Sequence, residues 1–149
     1  MIVALLAAVL ACNAPEYRQF NFWIGDWDVS NFDRPDKVVA RVRVSPILDR
    51  CALQEDYQDT GGLRGRSISI FDASRKVWQQ TWVTNRGQLL VIEGTLQGDE
   101  MVLTGGREKL VRGVWKPVAG GVRETAVTSV DGGKSWQPWF DLMFRPRKK

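Results

Sequence analysis

The segment Phe20–Val29, Phe-Asn-Phe-Trp-Ile-Gly-Asp-Trp-Asp-Val, places three aromatic residues directly before a glycine. Charged and apolar residues then alternate over Asp26–Val29, which is typical of a short turn that runs into a half-buried strand. Gly25 allows the chain to turn sharply at that point. Two tryptophans within five residues carry more apolar area than a surface loop exposes, so we expect Trp23 and Trp27 to close one end of a hydrophobic core.

The composition predicts one soluble domain. Of 149 residues, 44% are hydrophobic and 26% are charged, which is the ordinary range of globular proteins. The net charge is +4, and basic residues cluster only at positions 145–149. The last three residues, 147–149, form a basic tail after the domain. A nucleic-acid partner, which requires a continuous basic stripe, is therefore not expected. The chain has no histidine, and we expect neither a metal site nor a cofactor.

The apolar N-terminal segment 1–12 is too short to span a bilayer and is typical of a secretory signal. The residues Val9-Leu10-Ala11-Cys12 resemble a bacterial lipobox, which implies that Cys12 is lipidated, although no Lys or Arg precedes the apolar run. We expect an exported protein, whether periplasmic, secreted or lipid-anchored. The alternative is an apolar helix or strand that packs on the domain of a cytoplasmic protein. Residues 13–19 are expected to form a linker, with one short helical turn that leads into the aromatic segment.

The second cysteine, Cys51, is interpreted as a buried structural thiol. Two cysteines cannot form a disulfide framework, and processing or lipidation at Cys12 would leave Cys51 without a partner. Without a histidine to activate it, Cys51 is not expected to act as a nucleophile.

Short extended runs separated by turn residues fill the remaining chain. Beyond the first strand, they predict strands at 38–44, 52–58, 63–71, 77–83, 88–96, 100–104, 107–116, 121–130 and 136–144. Pro46 is expected to interrupt the extended structure that follows the strand at 38–44. Tight turns between consecutive strands favour an all-β, up-and-down antiparallel barrel of about eight to ten strands over residues 20–146. Such a barrel can hold one small ligand.

The motif Gly25-Asp26-Trp27 at the entry to the first strand resembles the signature of lipocalin and calycin barrels. In that superfamily a basic residue near the end of the last strand packs across the tryptophan, which implies that role for Arg145. The opening Phe-Trp-Ile-Gly-Asp-Trp-Asp and the segment Ser129–Trp136 resemble an uncharacterised bacterial family of lipocalin-like proteins, over roughly Phe20 to Pro146. The resemblance implies a fold and no specific function. Ser129–Trp136 also fits the Asp-box motif, which we interpret as a structural hairpin.

Several ionisable residues stand in the middle of predicted strands. Glu93 lies between Ile92 and Gly94, Glu124 between Arg123 and Thr125, and Asp141 between Phe140 and Leu142. A charge that points into a barrel must be paired or functional. The possible countercharges are Arg41, Arg43, Arg64 and Arg66. Alternation alone leaves open which of these point inward, and a solvated outer face with cross-strand ion pairs is the simpler alternative. The pairs Asp26 with Asp28 and Glu55 with Asp56 are interpreted as strand-edge charges.

The sequence favours a non-catalytic barrel that binds a small, partly hydrophobic molecule. The candidate ligand-binding residues are Trp78, Gln80, Trp82, Glu93, Glu124, Trp139, Asp141 and Arg66. Two alternatives remain: a filled barrel with an envelope-associated interaction role, and an enzyme in which Glu93 or Glu124 acts as general base. Membrane association is expected only through the N-terminal lipid, and the sequence does not predict an oligomeric state.

Overall fold

The computed structural model describes residues 11–149, which form two short 3-10 turns and a closed barrel. The turns are Pro15–Arg18 and Asn21–Trp23. The strands are β1 (Gly25–Asn31), β2 (Val38–Ile47), β3 (Ala52–Asp59), β4 (Arg64–Asp72), β5 (Val77–Thr84), β6 (Leu89–Gln97), β7 (Glu100–Gly105), β8 (Leu110–Val118), β9 (Gly121–Ser129) and β10 (Gln137–Pro146). Each strand pairs antiparallel with its neighbour in sequence, and β1 pairs with β10. The predicted all-β, up-and-down barrel is confirmed.

The loops alternate between the two ends of the barrel because all neighbouring strands are antiparallel. We call one end the open end; its loops are 32–37, 60–63, 85–88, 106–109 and 130–136. The opposite end is the closed end; its loops are 48–51, 73–76, 98–99 and 119–120. Residues 11–24 lead into the first strand at the closed end.

Pro46 lies inside β2 and does not interrupt it, so the expected break is wrong. Pro46 pairs with Leu53 of β3, while the pairing of β2 with β1 ends at Val44. Beyond Val44, β2 therefore has a free edge, where a residue without an N–H group costs no ladder hydrogen bond. The other predicted strands match the observed boundaries to within three residues.

Phe20, Trp23 and Trp27 form an aromatic plug that fills the closed end. Phe20 and Trp23 are both nearly inaccessible, and their rings stack with centroids 4.9 Å apart. The Phe20 ring also meets Trp115 edge-on at 5.4 Å, and the Trp27 indole donates a hydrogen bond to the carbonyl of Trp23 at 2.9 Å. A Cβ at Gly25 would lie 2.8 Å from the Trp27 ring, so this position requires a glycine. Trp23 and Trp27 are thus buried together at one end of the core.

A disulfide between Cys12 and Cys51 joins the N-terminal segment to the closed end. The predicted free thiol at Cys51 is therefore wrong. The two cysteines meet because the first 3-10 turn folds back onto loop 48–51, where the Arg18 guanidinium donates to the carbonyls of Cys12 (2.9 Å) and Arg50 (2.8 Å). While Cys12 Sγ forms this bond it cannot carry a lipid, so lipidation and the disulfide are alternative states of one atom.

The apolar run at positions 1–10, which contains most of the signal-like segment, lies outside the described residues. Among residues 11–149, no helix has the length and apolar character needed to cross a bilayer. The expected linker at 13–19 contains the first 3-10 turn and is part of the closed end.

The segment Ser129–Trp136 forms the hairpin turn between β9 and β10. The Asp131 carboxylate accepts hydrogen bonds from the backbone N–H and the hydroxyl of Ser135, and these bonds lower the pKa of Asp131 to about 2. Gly132 and Gly133 both take positive φ, as this tight turn requires. The segment is therefore a structural turn at the open end.

Candidate functional site

Alternate residues of every strand point into the barrel, and polar inward positions lie towards its middle and open end. Near the closed end the inward residues are aromatic or aliphatic. Away from the strand ends, the inward polar residues assigned from strand register and burial are Glu55, Tyr57, Ser67, Ser69, Gln80, Glu124 and Thr128. No inward position of the ten strands carries Lys or Arg. The interior is therefore acidic.

Glu55 is the most enclosed carboxyl of the described chain, with 6% of its surface exposed. It lies on β3 between Val44 and Ser67 of the adjacent strands, and the Ser67 hydroxyl donates a hydrogen bond to Oε2 at 2.7 Å. Burial raises the pKa of Glu55 to about 7; the Asp56 charge adds to this rise, and the Ser67 hydrogen bond opposes it. Glu55 therefore takes up or releases a proton near neutral pH.

Glu124 is the second inward carboxyl, on β9 between Trp115 and Leu142. Burial raises the pKa of Glu124 well above its usual value, and the negative charge of Glu55 raises it further. Trp115 acts on the Glu124 pKa in the opposite direction, although its Nε1 makes no hydrogen bond of standard geometry. The effect of Glu55 on the pKa of Glu124 indicates that the two carboxyls share the barrel interior.

Aromatic rings adjoin this carboxyl pair. Tyr57 meets the Trp82 ring edge-on, with centroids 5.6 Å apart. Burial, followed by the negative charges of Asp59, Glu124 and Glu55, raises the pKa of Tyr57 to about 12, which keeps its hydroxyl protonated. Trp82 occupies space above Gly65, where an added Cβ would lie 2.1 Å from the ring.

Several inward side chains near these residues are only partly buried. Tyr57, Trp82, Leu90, Glu124 and Leu142 all point inward, yet each keeps part of its solvent-accessible surface. At the closed end the inward rings are almost completely inaccessible. The aromatic rings inside the barrel are therefore most completely buried at the closed end.

Four of the candidate ligand-binding residues lie inside the barrel: Trp78, Gln80, Trp82 and Glu124. Trp78 adjoins the plug, because its Nε1 donates to Gln19 Oε1 at 3.1 Å and its ring packs edge-on against Phe20. Gln80 donates from Nε2 to the Ser69 hydroxyl at 3.1 Å. Of these four, only Trp82 and Glu124 keep part of their surface exposed.

The other four candidates, Arg66, Glu93, Trp139 and Asp141, lie on the outer face. Arg66 forms an ion pair with Asp56 at 2.7 Å, and Glu93 forms one with Arg75 at 2.9 Å. Asp141 forms an ion pair with Arg123 at 2.6 Å. Each occupies the outward position of its strand's alternation. Trp139 projects outward at a break in the β9–β10 register.

Arg145 also lies on the outer face, where it pairs in register with Asp28 and its guanidinium donates to Ser30 Oγ at 3.3 Å. Trp27 points inward and pairs with Pro146. The packing of Arg145 across Trp27 that the lipocalin resemblance implies is therefore not present, because the two side chains occupy opposite faces of the sheet.

The four arginines considered as countercharges for interior carboxylates are also outside. Arg41, Arg43, Arg64 and Arg66 line an open groove of about 910 Å³ over strands β1 to β5. The groove contains a cross-strand ladder of alternating charge, Asp26–Arg43–Asp56–Arg66. Asp26 and Asp56 thus agree with the interpretation as strand charges, whereas Glu55 does not, because its side chain is buried inside the barrel.

Sequence reasoning missed Glu55 because polar residues flank it on both sides. The useful signal was the alternation Leu53, Glu55, Tyr57, which places the carboxyl on the same face as two large apolar side chains.

No group of three or more His, Cys, Asp or Glu side chains suited to a metal ion occurs within residues 11–149. No protein-family model and no curated protein matches this chain.

Proposed function

We propose that the protein binds a small organic molecule inside the open half of the barrel, and that this ligand has an apolar body and a basic nitrogen. The proposal is supported by one observation: two inward carboxyls, Glu55 and Glu124, lie near the Tyr57 ring in an interior without an inward Lys or Arg. A cation there would pair with the carboxylates and offset the cost of burying them. The faces of Tyr57 and Trp82 suit both a cation and an apolar chain.

The first test is to measure intrinsic tryptophan fluorescence during titration with octylamine, octanoate and octanol, which share one apolar chain. Octylamine should bind roughly tenfold or more tightly than the other two, since a charge-assisted hydrogen bond is worth about 1.5–3 kcal/mol. Its affinity should rise between about pH 5 and pH 8, because binding a cation requires the carboxylates, and the pKa values of Glu55 and Glu124 are raised.

Glu124→Gln should remove the preference for the amine. Glu93→Gln is the matched control, because Glu93 is a strand glutamate on the outer face. Equal affinity for all three probes, or the same loss in both variants, would contradict the proposal. Native mass spectrometry of the protein purified from its source would then identify any retained molecule.

A second candidate, an enzyme that uses Glu124 as a general base, is favoured by the raised pKa of that carboxyl. Incubation of a retained ligand with the protein distinguishes the two. An unchanged ligand mass supports a carrier, and a product that disappears in Glu124→Gln supports the enzyme.

We also propose that the protein is exported. Support comes from the disulfide between Cys12 and Cys51, since such bonds persist mainly in oxidising compartments. The test is alkylation with iodoacetamide without reductant, followed by intact mass measurement. An unmodified mass is expected, whereas the addition of two alkyl groups would show free thiols and contradict the proposal.

A further inference from the structure

Large apolar side chains are exposed mainly at the open end. Of the nine such residues among positions 11–149, seven lie within three residues of an open-end loop. On one side of the mouth, strands β9, β10, β1 and β2 and their loops carry Phe32, Val38, Val130 and Trp139. On the opposite side, β5 and β6 carry Val83, Leu89 and Val91. We call these seven residues the mouth ring.

Basic side chains stand among the mouth ring. Lys109 Nζ lies 5.8 Å from the centre of the Trp139 ring, and the Arg123 guanidinium lies 3.7 Å from that of Phe32. The open-end loops carry six Lys and Arg residues against four Asp and Glu, and all six basic side chains are exposed. Rings beside long basic side chains are characteristic of the interface between lipid headgroups and acyl chains.

We propose that the open end docks on an anionic lipid surface, with the mouth ring in the headgroup region and the loop Lys and Arg residues near lipid phosphates. The ring lies on two opposite sides of the opening, so a flat, extended surface can contact both sides at once. Its apolar residues project from separate hairpins between charged ones. A lipid surface accommodates such a pattern through apolar burial and electrostatic attraction together. This docking requires no ligand in the interior and is independent of the proposed binding function.

The test is co-sedimentation with vesicles of phosphatidylcholine alone and of phosphatidylcholine mixed with phosphatidylglycerol. We expect binding to the mixed vesicles that weakens as salt is added, because salt screens the headgroup charges. Leu89→Asp and Val130→Asp should each reduce the partition coefficient roughly tenfold, since each removes an inserted apolar side chain. Both residues are highly exposed, and thermal unfolding should be unchanged.

Leu48→Asp is the matched control, because Leu48 is 70% exposed at the closed end and Leu89 is 68% exposed at the open end. It should bind vesicles as the unaltered protein does. Three results would overturn the proposal: no binding to either vesicle, an equal loss in Leu48→Asp, or a change of oligomeric state in Leu89→Asp without a change in vesicle binding. The last result would identify the mouth ring as a protein interface.

Discussion

The closed half and the open half of this barrel use the same alternating strands but pack their interiors differently. In the closed half, Phe20 and Trp23 fill the space between Trp78, Trp115 and Phe144. In the open half, inward side chains such as Tyr57, Trp82 and Leu90 stay partly exposed. The residues that fold back from the N-terminal segment make the difference, since they supply side chains to one end only. Stability is therefore expected to reside mainly in the closed half.

The strongest test of this difference compares two tryptophan truncations. Trp23→Ala should lower the free energy of unfolding by roughly 3–5 kcal/mol, because it leaves a cavity inside a packed cluster. Trp82→Ala should cost only about 1–2 kcal/mol, because that ring is already partly exposed. Chemical denaturation of both variants measures this. Equal losses would mean that the two halves are packed alike.

The disulfide is the next contributor to the stability of the closed half. Cys51→Ser should reduce the free energy of unfolding by roughly 2–4 kcal/mol, since the bond closes a loop between residues 39 positions apart. Cys12→Ser should give the same loss, and the double variant should lose no more than either single one. Denaturation under non-reducing conditions is the measurement, and non-equivalent single variants would contradict the pairing.

The pH dependence of stability tests the burial of Glu55 inside the barrel. The pKa of Glu55 is raised from 4.5 to about 7 in the folded state, so the folded protein binds more protons than the unfolded chain between these values. The stabilisation is therefore present in full below about pH 4.5 and is lost as pH rises through about 7. Between pH 4.5 and pH 8, the free energy of unfolding of Glu55→Gln should rise by roughly 3 kcal/mol relative to that of the unaltered protein. A pH-independent difference between the two proteins would show that Glu55 is not buried as a carboxyl.

The smallest effect is expected on the outer face. Arg66→Ala breaks an ion pair with Asp56 in which both side chains are well exposed, and it should change stability by less than about 1 kcal/mol. The thermal midpoint measured at low and high salt tests this. A large, salt-dependent fall in the thermal midpoint would show that the charge ladder stabilises the fold.

Much of the fold could be predicted from the sequence because the strands of this barrel follow local rules. The alternation over residues 38–44 and the turn at Gly61-Gly62 depend on neighbours a few residues away. The site could be predicted only in part, since the face of a strand is defined by its partners. Glu124, flanked by Arg123 and Thr125, lies inside, whereas Glu93 and Asp141, whose flanking residues are more apolar, lie outside. The bond between Cys12 and Cys51 was missed because it depends on how the N-terminal segment folds back.

The pairing of β1 with β10 has a consequence for how the protein folds. Arg145 contacts Ser30 across a separation of 115 residues, and Trp23 of the plug packs against Phe144. During synthesis the apolar plug segment emerges first, and the last strand that covers it emerges at the end. Contacts of such long range form slowly and leave apolar surface exposed in the meantime. Closure of the barrel and burial of its plug are therefore expected to be a single, late step of folding.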